Sequence, residues 1–151
     1  MKCLLVYGTL SGSTMSASEV AAATLRTANH TVDMFSADEV TREKVAEYDV
    51  LIVSSPSWED QGKDGQPLPE VRAFVESLTN EDLSGKKVAL IGLGDTSYPH
   101  YCGAIDVMEE IFNKLSVTLV VPSLKIDRYY SLAANEQAVK DWATLLAGKL
   151  T

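Results

Sequence analysis

Residues 9–14, Thr9-Leu10-Ser11-Gly12-Ser13-Thr14, set four hydroxyl groups around one glycine. They follow an apolar run at 3–7 that reads as a parallel strand buried on both faces. They precede residues 15–25, rich in Ala, Ser and Thr with Val20 and Leu25 among them, which read as a helix. A strand turning sharply into a helix leaves backbone N–H groups and partial positive charge at the helix start, which suits an anion. Gly12 lets the backbone come close to a phosphate, and the hydroxyls of Thr9, Ser11, Ser13 and Thr14 can donate to it. No Lys or Arg lies between Cys3 and Leu25, so a phosphate here is expected to be held by neutral donors alone. The lysine of a P-loop and the glycine spacing of a dinucleotide fingerprint are both missing. An ordinary turn capped by Ser and Thr fits the loop equally well.

Two later loops decide between these. The first, Ser55-Pro56-Ser57-Trp58-Glu59-Asp60, exposes a tryptophan among polar residues. That is unfavourable unless something planar covers the ring or the ring folds back on the surface. The second runs from Gly92 and Leu93 through Gly94-Asp95-Thr96-Ser97-Tyr98-Pro99-His100-Tyr101-Cys102-Gly103. Its glycines permit close approach to a flat ring, on which Tyr98 or Tyr101 can stack. Two aromatic loops beside a hydroxyl cradle predict a planar cofactor ending in a phosphate, and FMN fits better than a nucleoside triphosphate.

With these residues in place the chain resembles the flavodoxins, specifically the short-chain type. The first loop matches that family's Thr/Ser-x-Thr/Ser-Gly-x-Thr phosphate motif, and residues 94–98 with 101–103 look like its flavin-edge loop. The resemblance covers the whole chain. It implies non-covalent FMN, with Trp58 on the inner face of the ring, Tyr98 on the outer, and Thr9, Leu10, Ser11, Gly12, Ser13 and Thr14 at the phosphate. It also implies that backbone around Leu93, Gly94, Asp95, Tyr101 and Cys102 meets the pyrimidine edge. Ser55, Pro56, Ser57, Glu59 and Asp60 complete the contacts, with Ser57 near the ribityl hydroxyls.

The implied function is low-potential electron transfer, one electron at a time through a semiquinone/hydroquinone couple, without substrate turnover. In flavodoxins the peptide after the inner aromatic reorients on one-electron reduction, often at Gly or Asn; Glu59 stands there instead and is expected to weaken that step. Glu59, Asp60, Asp95 and Asp127 would disfavour a further negative charge, although Asp127 reads more readily as a solvated surface carboxylate. His100 reads as an exposed loop histidine. A quinone or NAD(P)H oxidoreductase of the same fold is the alternative, and a non-redox phosphate-binding module a third; the latter leaves Trp58 and Tyr98 unexplained.

The elements that must position these loops follow from periodicity. Strands are expected at 3–7, 30–35, 49–54, 87–92 and 117–121, the second an alternating edge strand. Helices are expected at 15–25, at 70–78 after Pro67 and Pro69, through Ile105, Met108, Ile111, Phe112 and Leu115, and at 135–150. Residues 36–47 could hold a short helix, and 55–66 read as a polar loop. The alternation predicts a doubly wound α/β fold, a five-stranded parallel sheet of order 2-1-3-4-5 in a three-layer α/β/α sandwich. Ligands bind beyond the carboxyl ends of such strands, where strand order reverses, and all three loops belong there.

At 151 residues the chain is expected to form one domain, 1–151. It shows no signal pattern and no bilayer-length apolar run. Cys3 and Cys102 have neither metal nor redox spacing, which favours a reduced, cytoplasmic chain. A net charge of −8 makes nucleic acid and anionic membranes poor partners and basic protein faces good ones. The family resemblance implies redox partners, reductases and low-potential acceptors, whose docking faces the charge predicts to be basic, and it implies a monomer.

Overall fold

Alternation along the central strands decides which layer each side chain enters. In the computed structural model, which describes residues 1–131 and 134–150, strand β1 (Lys2–Tyr7) sends Cys3 and Leu5 to one face and Leu4 and Val6 to the other. All four are fully buried. Helix α1 (Ser13–Thr27) follows, then β2 (Thr31–Ser36) and β3 (Val50–Pro56), both parallel to β1. Leu5 stands opposite Met34 on one side and Ile52 on the other. A short antiparallel hairpin of β4 (Trp58–Asp60) and β5 (Lys63–Gln66) comes next, and helices α2 (Pro69–Ser77) and α3 (Asn80–Leu83) then lead into β6 (Lys87–Gly94). Helix α4 (Gly103–Lys114), β7 (Leu124–Asp127) and α5 (Asn135–Lys149) complete the chain.

The parallel sheet has the order β2-β1-β3-β6-β7, the expected doubly wound topology. One face is closed by Ala17, Ala21 and Leu25 of α1 with Val139, Trp142 and Leu146 of α5. Val71, Phe74 and Val75 of α2 with Ile105, Met108 and Phe112 of α4 close the other. The alanines of α1 let that helix lie close to α5, and Trp142 Nε1 donates to Pro122 O at 2.9 Å, so its polar edge is satisfied.

Three expectations change. The fifth strand is not at 117–121: there only Leu119 bridges to Val88, and Val120 N donates to Val88 O at 3.0 Å. Pro122 has no N–H to offer a ladder, and pairing resumes at Leu124–Asp127, opposite Ile91–Gly94. The β-branched run 117–121 had the propensity of a strand but a left-handed Ser116 (φ 60°) at its start and Pro122 at its end. Residues 55–66 are not simply a loop, since they hold the hairpin, turned by Gln61 and Gly62 at φ 52° and 78°. The segment 36–47 forms two 3₁₀ turns, Ala37–Glu39 and Arg42–Glu47, rather than an α-helix.

Candidate functional site

The carboxyl ends of β1, β3, β6 and β7 meet in one hollow of about 230 Å³. From the first loop Thr9, Leu10, Ser11, Ser13 and Thr14 line it; from the second, Pro56 and Ser57; from the third, Leu93, Gly94, Asp95 and Tyr98. Three segments far apart in sequence are thus brought together. An adjoining hollow of about 410 Å³ shares Ser57 and Tyr98 and continues past Trp58, Glu59, Asp64 and Pro99. A groove of about 760 Å³ between α4 and residues 117–123 shares no residue with either hollow and has no aromatic in its lining.

The first loop turns tightly into the start of α1. Gly12, at φ 91°, is the N-cap of α1, a backbone state that any Cβ would strain. Its N–H donates to Thr9 Oγ1 at 2.8 Å, which folds the loop back over the helix start. With glycine as cap, no side chain is bonded to the first turn of α1, whose N–H groups lack helical partners. Thr14 is buried, and one turn on, Ser18 Oγ donates to Ser54 Oγ at 3.0 Å, tying the helix to β3.

Ser55, expected at the site, is spent on the backbone: its hydroxyl donates to Pro56 O at 2.8 Å and accepts from Leu68 N at 3.2 Å. Ser57 Oγ accepts from Ala104 N at 2.9 Å, so the second loop is anchored on α4. Trp58 is half-buried against the α2/α4 face of the core, and its Nε1 is buried with no partner among the described residues. A buried unpaired donor is costly. Glu59 is exposed in β4 with no left-handed φ, and Asp60 borders a separate hollow with Lys63. The hairpin is seated on α4 through glycines: a Cβ on Gly65 would lie 2.6 Å from His100 Cβ, and one on Gly103 2.5 Å from Gly65 O.

In the third loop Tyr98 is 63% exposed and lines both hollows. Asp95 accepts from Ser97 N at 2.8 Å and Ser97 Oγ at 2.6 Å, bonds that hold its carboxyl below the ordinary range. Tyr101 and Cys102 stand behind the hollow rather than in its wall. Cys102 is buried and left-handed (φ 49°) at the start of α4, and Tyr101 packs on the core; burial raises both their pKa values. His100 is exposed, as expected, with Nδ1 3.4 Å from Asp64.

Asp127 is not the solvated charge anticipated. It is largely covered, bonded to Arg128 Nη2 at 3.1 Å and Nε at 3.2 Å, and it accepts from Thr96 N at 2.9 Å. The Arg128 guanidinium, then the Thr96 backbone, lower its pKa. In the lining of the first hollow two residues were not foreseen, Arg128 and Tyr129. The phosphate loop has no base near it in sequence, yet Arg128 joins the same hollow from the end of β7. Sequence reasoning missed both because it ended the last strand at 121.

The Flavodoxin family model matches residues 5–142. A protein named flavodoxin from Maridesulfovibrio salexigens is 32% identical over 127 residues, 83% of this chain and 86% of that one. A protein named probable flavodoxin 2 from Bacillus subtilis is 35% identical over 127 residues, 83% of this chain and 82% of that one. The crystal structure of oxidised flavodoxin 2 from Bacillus cereus superposes with a TM-score of 0.85 at 28% identity, covering 99% of both chains.

Proposed function

We propose, from the premise that this chain belongs to the flavodoxin family, that the paired hollows at the carboxyl ends of its strands are its FMN site. The protein is an FMN electron carrier and not an enzyme. Bound FMN supplies the reversible one-electron chemistry, and the chain supplies binding, orientation and charge.

The observation that carries the site reading is the meeting of the hydroxyl loop with Trp58 and Tyr98 across adjoining hollows. The residues present fit the cofactor. The hydroxyls of Thr9, Ser11 and Ser13 and the uncapped first turn of α1 would hold the phosphate. Trp58 and Tyr98 would flank the ring. Gly94 and the backbone at Asp95 would meet the polar edge of the ring, with Cys102 holding the loop from behind. Asp95 and the exposed Glu59 place negative charge by the ring, which disfavours adding another and keeps the potential low.

An exposed Tyr98 suits transfer at the ring edge to another protein. The −8 charge makes a basic docking face on reductases and acceptors the fitting partner. We read the chain as one domain, 1–151, working as a monomer. No helix among the described residues is long and apolar enough to cross a membrane, and the free thiols of Cys3 and Cys102 suit the cytoplasm.

The test is titration of flavin-free protein with FMN, followed by quenching of flavin fluorescence. One FMN per chain is expected, with Trp58→Ala and Tyr98→Ala each weakening binding by about tenfold or more. Absence of FMN binding, or binding indifferent to both variants, would overturn the site.

A further inference from the structure

We propose that Arg128 is the anion-compensating residue of the FMN site, meeting the negative charge that the cofactor brings; this rests on the reading of the hollow as that site. Arg128 is the one base in the wall of the hollow that Thr9–Thr14 line, and Asp95 is the one acid. A flavin monophosphate entering a molecule of charge −8, past Asp95, meets repulsion that hydroxyls and helix N–H groups answer only in part. A guanidinium there changes that balance, because a hydrogen bond between ions is about twice as strong as one between neutral groups.

The side chain has donors to spare. Its Nε and Nη2 are used on Asp127, while Nη1 makes no hydrogen bond among the described residues. Its backbone sits at φ 45°, a left-handed state that glycine adopts freely and a side chain does not. The bond from Arg128 N to Gly94 O, 2.8 Å, would form with any residue at this position that carries an N–H and needs no arginine. An ion pair between a half-exposed arginine and its neighbour in sequence adds little to folding. Neither therefore accounts for an arginine at a strained position, whereas a charge facing the cofactor does.

The negative charge has two sources, the phosphate and the fully reduced ring, and both are read in one set of proteins: wild type, Arg128→Gln, Arg128→Lys and Arg128→Gly. Flavin-free full-length chain is titrated with FMN and with riboflavin, which lacks the phosphate, at low and high salt. Reduction potentials are then measured on the FMN-loaded forms. If the phosphate is the partner, Arg128→Gln weakens FMN binding about tenfold, leaves riboflavin unchanged and flattens the salt dependence. If the reduced ring is the partner, oxidised flavins bind alike but the potential for the last electron falls in Arg128→Gln. Arg128→Lys should retain most of either effect, and Arg128→Gly, free of strain, excludes misfolding as the cause. Unchanged FMN binding and unchanged potentials overturn the inference while the site stands, as does an equal loss for FMN and riboflavin. Wild-type protein that binds no flavin overturns the site reading and this inference with it.

Discussion

Single side chains set the chemistry of this site through where their backbone lets them stand. Glu59 is exposed and carries no left-handed φ; the positive-φ residues of its hairpin turn are Gln61 and Gly62, two and three positions on. If the peptide after Trp58 reorients as the family's does, Glu59 must carry its Cβ through a backbone state that glycine enters freely. Glu59→Gly should therefore raise the potential of the first one-electron step by about 40 mV, the equivalent of ~1 kcal/mol. Spectroelectrochemical titration measures it, and a fall would contradict the account. At the other end of the site, a methyl group on Gly12 would meet open space, but the backbone there stands at φ 91°. Gly12→Ala should therefore lower stability by about 1 kcal/mol through backbone strain, and weaken FMN binding by shifting the loop.

Elements act on the site through their seating. The β4–β5 hairpin carries Trp58 and rests on the start of α4 through Gly65 and Gly103, where a single Cβ on Gly103 would collide with backbone. Gly103→Ala should cost about 1–3 kcal/mol in urea unfolding and loosen the tryptophan, seen as a red-shifted emission. Helix α3 is fixed by a capping box: Thr79 Oγ1 accepts from Asp82 N at 3.3 Å, and Asp82 accepts from Thr79 N at 2.8 Å and from Arg42 Nε at 3.0 Å. Arg42 first, and Thr79 with it, hold the Asp82 pKa below its ordinary value. The stabilisation is thus present above the unfolded value near 3.9 and is lost as pH falls from there through the lowered native one. Asp82→Ala should cost about 1 kcal/mol near neutral pH, and the gap from wild type should close on acidification. Strands β1, β3 and β6 and the loops after them were legible in the sequence because each signal is local: an apolar run, then hydroxyls, glycines and aromatics. The hairpin was not, since its turn depends on Gln61 adopting φ 52°, which its residue type does not announce. Arg128 was hidden for a different reason. Its place depends on β7 pairing with Ile91–Gly94, a long-range choice that Pro122 settles against the more strand-like 117–121.

At the scale of the molecule, both apolar layers are closed by the chain's own helices, and no cofactor atom is needed between them and the sheet. The flavin-free protein should therefore keep its secondary structure and unfold cooperatively. FMN at 100 times its dissociation constant should add about 2.7 kcal/mol. Hydrogen exchange should show the added protection in residues 9–14, 57–60 and 94–98 rather than in the strands. The margins of the sheet carry a consequence of another kind. On one side Arg26 donates to Val32 O at 2.6 Å and Tyr48 to Asp33 at 2.7 Å, so the β2 border is dressed with side chains and a charge. On the other, a four-residue strand gives way to the irregular stretch ending in Pro122. Both borders thus hinder the edge-to-edge continuation by which strand-rich proteins polymerise. The carrier is thereby protected from fibre growth by its own edges. Light scattering of concentrated protein should stay flat for as long as β2 and β7 remain folded.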